Sequence, residues 1–259
     1  MRIVIKIGTS TLAHATGKLN IKRTGELCKV VSDLKNAGHE TILVSSGAIG
    51  MGVGKLGLHE KPTDIPTKQA AAAVGQCELM YTYDRLFAEY GHTVAQILLT
   101  GSDFTAEDRH ENFGNTLFRL LELGALPIIN ENDTIATEEI KVGDNDTLSA
   151  LVAVSVKADL LVILSDVDGL YSADPHKDEN AKLIEKVYGV DEKIVALAGG
   201  AGSALGTGGM RTKLNAAKIC GSAGCDTVIA NGETPELLYD IVDGKQGGYT
   251  RFFATEENA

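Results

Sequence analysis

Short, strongly apolar runs recur along the chain, each closed by small or polar residues: RIVIKI at 2–7, ETILVSS at 40–46, HTVAQILLT at 92–100, ALPIINEND at 125–133, ADLLVILSD at 158–166 and DTVIAN at 226–231. Continuous β-rich runs of this length suit parallel strands buried on both faces. Between them apolar residues fall at helical spacing: Ile21, Leu27, Val30, Val31 and Leu34, then Leu117, Leu120 and Leu121, then Leu148, Leu151, Val152 and Val156. Strand alternating with helix predicts a doubly wound α/β architecture around a mainly parallel central sheet.

In such sheets ligands gather where strand carboxyl ends meet loops and helix N-termini. The residues just past each run therefore matter most. They are Gly8-Thr9-Ser10, Ser45-Ser46-Gly47-Ala48, Asn130-Glu131-Asn132-Asp133-Thr134 and Ser165-Asp166-Val167-Asp168-Gly169.

Composition narrows the class. At 259 residues the chain suffices for one substantial core, so a single domain over 1–259, with two lobes, is expected. Its 44% hydrophobic and 23% charged content is that of a globular protein, and no apolar run reaches the ~18 residues of a membrane span. The opening MRIVIKIGTS is too soon interrupted for a secretory signal and reads as a first strand. A formal net charge of −11 with no local basic patch speaks against nucleic acid and anionic membranes as partners. Cys28, Cys77, Cys220 and Cys225 show neither C-x-x-C spacing nor a His at zinc-ligand distance in sequence, which indicates reduced thiols and a cytoplasmic protein.

Two glycine turns, IKIGTS with Gly8 and VSSGAIG with Gly47, read either as tight strand-to-helix turns or as places where backbone N–H groups approach an anion. Lys6 tips the balance toward the anion. A lysine inside an apolar run is costly unless its ammonium emerges beside a negative charge. GVGKLG fits G-x-G-x-x-G at Gly52, Gly54 and Gly57, but it does not turn directly out of a first strand, and Pro62 and Pro66 follow closely, so a dinucleotide fingerprint is rejected. GTGGMRTK at 206–213 lacks the Gly-Lys-Ser/Thr ending of a P-loop, yet a glycine-dense backbone leading into Arg211 and Lys213 suits polyphosphate.

The densest polar cluster is VGDNDTLSA at 142–150. One of Asp144, Asn145 or Asp146 caps the helix that follows, and the remaining residues are then left for other work: an acid that holds lysines and an amide or acid that reads a polar substrate. An EF-hand loop is ruled out by the missing glycine and the missing twelfth-position glutamate. INENDT at 129–134 is a second acid-amide cluster, suited to a substrate ammonium or to an Asx-type turn. His14, His39, His59, His92, His110 and His176 lie outside these motifs and read as surface or loop residues.

Taken together, IKIGTSTL, VSSGAI, INENDT, KVGDNDTLSAL, SDVDGLYSADP and GTGGMRTK, in this order and spanning nearly the whole chain, resemble the amino acid kinase family in its glutamate-phosphorylating branch. The resemblance implies a three-layer αβα sandwich in which about 1–150 holds L-glutamate and about 151–259 holds ATP. It implies Mg2+ held mainly by ATP phosphates and water, with no dedicated protein ligand, and transfer of the γ-phosphoryl group to the glutamate side-chain carboxylate as the first step of proline synthesis. By position, Lys6 and Lys213 correspond to phosphate-binding lysines and Asp146 to the acid that organises them. Ser46, Asp133 and Asn145 correspond to glutamate ligands, and Ser165, Asp166 and Thr207, Gly208, Gly209, Met210, Arg211, Thr212 and Lys213 to nucleotide contacts. Gly8 and Gly47 are the expected phosphate contacts.

The absence of a plausible catalytic His fits that chemistry, because a carboxylate with pKa near ~4.3 is already an ionised nucleophile at pH 7. Many family members carry a C-terminal domain resembling an RNA-modification module, which is not expected here because the chain ends at Ala259 soon after the kinase region. Feedback inhibition by proline, a homo-oligomer and delivery to a glutamyl phosphate reductase are further implications, with Lys141 placed where inhibitor and substrate responses meet. The competing readings are a kinase of another acid or a nucleotide on the same fold, an amino-acid sensor with a degenerate site, and an RNA-binding protein.

Overall fold

A computed structural model describes residues 1–14, 18–60, 62–136, 144–175, 177–197 and 209–254. The strands are β1 (Arg2–Ile7), β2 (Glu40–Ser45), β3 (Val94–Leu99), β4 (Leu126–Glu131), β5 (Leu160–Ser165), β6 (Lys186–Tyr188), β7 (Asp226–Asn231) and β8 (Tyr249–Phe253). Six of them fall where the apolar runs place them. Among the described residues they form one sheet in the order β3-β4-β2-β1-β5-β7-β8-β6, parallel throughout except where β8 runs against β7.

The helices are α1 (Thr9–Leu12), α2 (Ile21–Asn36), α3 (Ala48–Leu56), α4 (Ile65–Ala88), α5 (Ser102–Thr105), α6 (Glu107–Glu122), α7 (Asn145–Ser155), α8 (Glu192–Leu197), α9 (Met210–Gly221) and α10 (Leu237–Val242). Alternation along β1 sorts them into two layers. Ile3, Ile5 and Ile7 pack on one face with Leu27 and Val31 of α2, Leu79, Tyr83 and Phe87 of α4, and Leu238 and Ile241 of α10. Val4 packs on the other with Phe113 and Leu117 of α6, Leu148 and Val152 of α7, and Ala216 and Cys220 of α9. The expected αβα sandwich is thus observed. Lys6, two residues after Val4, shares the face covered by α7 and α9.

One sequence motif finds a purely structural use. Gly52 of GVGKLG lies inside α3, where a Cβ would stand 1.8 Å from the carbonyl oxygen of Ala71, and a Cβ on Gly75 of α4 would stand 1.7 Å from that of Ala48. Two glycines thus let α3 and α4 cross backbone to backbone. Pro66 starts α4 rather than ending a helix, since Asp64 caps it by accepting from the Thr67 N–H at 2.9 Å and proline is tolerated in a first turn. Ile21 opens α2 but is 69% exposed, outside the buried stripe its spacing suggests.

Candidate active site

The parallel strands end along one edge of the sheet, where β1 leads into Gly8, β2 into Ser46 and Gly47, β4 into the turn at Asn132 to Thr134, and β5 into Asp166. The start of α7 faces this edge and explains its three consecutive polar residues. Asp144 is the N-cap: extended at φ −156° and ψ 156°, it accepts from the Thr147 N–H at 2.7 Å and from the Thr147 hydroxyl at 3.2 Å. Asn145 turns its amide nitrogen toward the strand ends, where its two hydrogens are shared among Ser46 Oγ at 2.8 Å, the Ser45 carbonyl at 3.0 Å and Asn130 Oδ1 at 3.1 Å.

Asp146 turns inward and is only 1% exposed. Its Oδ1 lies 2.7 Å from Lys6 Nζ, and its Oδ2 lies 3.3 Å from Lys213 Nζ and accepts from the Thr212 hydroxyl at 2.7 Å. Lys6 and Lys213 are themselves 8% and 3% exposed, so one buried carboxylate faces two buried cations. Burial pushes the Asp146 carboxyl up, but the charges of Lys6 and Lys213 and the hydrogen bonds from Lys6 and Thr212 outweigh it and hold the group below the usual carboxylate range. The triad carries a net positive charge of one at neutral pH, at the edge where the strands end. An arrangement of this kind can receive an anion.

The glycines support it. Gly47 has φ +98°, a conformation that L side chains rarely adopt, at the turn into α3. A Cβ on Gly8 would press to 3.3 Å from the Leu164 carbonyl and 3.7 Å from Lys6 Nζ. Glycine at position 8 thus keeps the space beside the lysine ammonium open.

On the β5 side, Ser165 donates to Asp166 Oδ1 at 3.0 Å. Asp168 accepts from Asn231 Nδ2 at 2.8 Å and from the Tyr171 hydroxyl at 2.9 Å, tying the loop after β5 to the end of β7. Gly209 is the N-cap of α9, whose first turn holds Met210, the exposed Arg211, Thr212 and Lys213. Asp133 is half-buried in the turn after β4. Thr207, Gly208 and Lys141 lie outside the described residues.

The structure thus brings Lys6, Ser46, Asn145, Asp146, Thr212 and Lys213 into one connected group. It also adds residues that pattern reading did not assign. Asn130 sits inside INENDT and Gln76 inside α4, and the two are joined by a 2.9 Å hydrogen bond from Asn130 Nδ2 to Gln76 Oε1. Among the described histidines none enters the group; His110, for example, pairs with Ser155 Oγ at 2.8 Å on the surface.

Comparison with known proteins bears on the family and the fold. The family model "Amino acid kinase family" matches residues 1–231. The chain is 56% identical over 246 residues to the glutamate 5-kinase of Clostridium tetani (strain Massachusetts / E88), covering 95% of this chain and 92% of that one. It is 52% identical over 257 residues to the glutamate 5-kinase of Clostridium perfringens (strain 13 / Type A), covering 98% and 95%. Among solved structures, carbamate kinase from Giardia lamblia bound to AMP-PNP superposes with a TM-score of 0.71 over 98% of both chains at 18% identity, a likeness of fold.

Proposed function

The chain belongs to the amino acid kinase family, with the glutamate 5-kinases, and we propose that its phosphoryl transfer runs over the Lys6–Asp146–Lys213 group, with glutamate on the β2–β4–α7 side and ATP on the β5–α9 side. The reaction is ATP-dependent phosphorylation of the side-chain carboxylate of L-glutamate, giving glutamyl 5-phosphate and ADP at the start of proline biosynthesis. A carboxylate oxygen of glutamate forms the new bond to the γ-phosphorus. The bond to the β–γ bridging oxygen breaks, and its electron pair leaves with ADP.

The observation that carries this reading is the single buried carboxylate shared by two buried ammonium groups. The attacking carboxylate is already ionised at neutral pH, so no base has to be generated. The barrier comes from bringing an anion against a polyanion. It falls when fixed cations meet the charge on the transferring group in a site that needs no reorganisation. Asp146 keeps both lysines aimed, and the space over Gly8 leaves the Lys6 ammonium accessible to phosphate oxygens.

On the acceptor side, Asn145 spends its N–H donors on the scaffold and keeps Oδ1 for the substrate. Glutamate at neutral pH offers one donor group, its α-ammonium, so that oxygen and the Asp133 carboxylate are assigned to it; Ser46 Oγ completes the subsite. Ser165, Asp166 and the stretch from Thr207 to Lys213 are assigned to the nucleotide. Mg2+ bound with ATP would screen the phosphate charge. Among the described residues no group of three or more His, Cys, Asp or Glu side chains is placed to hold a metal.

No helix among the described residues is long and apolar enough to cross a membrane, and the assigned compartment is the cytoplasm. Proline as feedback inhibitor, a homo-oligomer and a downstream reductase belong to the same reading. The test is ADP release from Mg-ATP with L-glutamate beside aspartate, N-acetylglutamate and UMP, with hydroxylamine trapping any acyl phosphate. Glutamate-dependent ADP with matching hydroxamate is expected. Turnover with another acceptor alone would overturn the substrate assignment.

A further inference from the structure

Asn145 does not set its own orientation. A carboxamide has two donors on nitrogen and acceptors on oxygen, and either end could face glutamate. Here the choice is made by a chain of amides running away from the site into the protein. Asn145 Nδ2 meets Asn130 Oδ1 at 3.1 Å, Asn130 Nδ2 donates to Gln76 Oε1 at 2.9 Å, and Gln76 Nε2 donates to Gln96 Oε1 at 3.3 Å.

Two backbone groups favour one direction for that chain, and the amide contacts hold it there. The Glu131 N–H donates to Asn130 Oδ1 at 2.9 Å, so the oxygen of Asn130 must lie on that side and its nitrogen must point at Gln76. The Ser45 carbonyl accepts from Asn145 at 3.0 Å, so the nitrogen of Asn145 must point at the strand ends. Neither amide can turn over without placing like ends together, which leaves buried polar groups unmade. Asn130 is 2% exposed and Gln76 8%, so water cannot easily make good the loss.

Gln76 stands on a fixed stretch of helix. Its neighbour Gly75 is the residue that lets α4 press against the Ala48 carbonyl of α3, which fixes the helix backbone at this level. Gln96, at the far end, is exposed on β3 and free to present either end of its amide.

We propose that Gln76 is a positioning residue for the kinase reaction: by accepting from Asn130, it holds Asn130 Oδ1 on Asn145 and so keeps Asn145 Oδ1 turned toward the glutamate ammonium. The proposal rests on the assignment of Asn145 as a glutamate ligand. Gln76 itself touches neither substrate nor nucleotide. It acts across two hydrogen bonds, and its effect falls on glutamate recognition rather than on phosphoryl transfer.

The experiment compares Gln76→Leu, Gln76→Asn and Gln76→Glu with the parent and with Asn145→Ala, in steady-state kinetics with glutamate and ATP varied separately and thermal melts alongside. Leucine removes the acceptor, and asparagine keeps the amide but falls a methylene short. Each is expected to raise the glutamate KM about tenfold, with kcat and the ATP KM within about twofold. Glutamate at 76 retains an acceptor for Asn130, and the exposed Gln96 can turn its nitrogen to meet it, so this variant is expected within about twofold of the parent glutamate KM. Should the leucine variant fail to fold, the asparagine and glutamate variants carry the contrast alone.

A parent-like glutamate KM in the leucine and asparagine variants, with Asn145→Ala still raising it, overturns the role of Gln76 and leaves Asn145 as a ligand. An unchanged glutamate KM in Asn145→Ala as well removes the assignment on which the proposal rests. Equal impairment by leucine and glutamate at 76 reduces the residue to a packing role and also overturns the proposal.

Discussion

Lys6 on β1 and Asp146 at the start of α7 meet at 2.7 Å with both side chains buried, and Lys213 of α9 takes the second oxygen of the same carboxylate. The pairing solves a problem posed by each residue alone. A lone ammonium or carboxylate at this depth costs several kcal/mol, whereas here each buried charge faces an opposite one. On the proposed role, in which the two lysines meet charge that is greatest in the transition state, Lys6→Ala and Lys213→Ala are each expected to lower kcat by about 10²–10³-fold while changing the glutamate KM far less. Steady-state kinetics decides it; a raised KM with kcat intact would assign the lysines to ground-state binding instead.

Asp146 links the site to stability through pH. Its pKa in the folded protein lies below the ordinary carboxylate value of 3.8. Its contribution is therefore fully present above that value and is lost as pH falls from there through the folded pKa, where the unfolded chain holds a proton that the folded one lacks. Asp146→Asn imitates the protonated state at every pH and leaves two buried cations without a counter-charge. At pH 7 it is expected to cost about 3–5 kcal/mol. Denaturant melts from pH 7 down to pH 3 are expected to show the two proteins converging at the acid end, and a constant gap across that range would remove Asp146 as the group responsible.

How much of this was legible in the chain depended on how local the signal was. The strands β1, β2, β4, β5 and β7 announce themselves because each is a largely apolar run buried between layers, while β3, an edge strand with Leu99 alone buried, shows through its apolar residues only. β6 and β8 do not, since β6 has three residues with Val187 alone buried, and β8 mixes Thr250 and Arg251 into its run. Lys6 advertised the need for an anion, but composition could not say which. That answer depends on α7 and β1 meeting across the sheet, and it came from family likeness. Gln76 carried no signal, because a glutamine in a helix acquires meaning only when Asn130 is seen beside it.

The same limit explains GVGKLG and yields a test within one motif. Gly52 has no room for a side chain because the Ala71 carbonyl fills the space, whereas a Cβ on Gly54 meets nothing within 4 Å. Gly52→Ala is expected to destabilise by about 1–3 kcal/mol through forced separation of α3 and α4. Gly54→Ala, inside the same helix, is expected to be neutral or to stabilise by about 0.5–1 kcal/mol through reduced chain entropy. Urea melts of the two variants separate the cases. Equal losses at both positions would show that the close approach to the Ala71 carbonyl is not what sets the cost at Gly52.

Thr212 offers the finest probe of the triad. Its hydroxyl has one hydrogen and two acceptors in reach, Asp146 Oδ2 at 2.7 Å and the Gly209 carbonyl at 2.8 Å. The carboxylate should take that hydrogen, since a charged acceptor forms the stronger bond and the Gly209 carbonyl already receives the Thr212 N–H at 3.2 Å. Thr212→Val keeps the shape and deletes the donor, leaving Oδ2 to Lys213 alone. The expected loss is about 1–3 kcal/mol of stability together with a lower kcat, as the carboxylate shifts and carries the lysines with it. Thr212→Ser restores the donor without the methyl group and is expected to recover most of both. Serine behaving like valine in melts and kinetics would show that the methyl packing, and not the bond to Asp146, is what this position contributes.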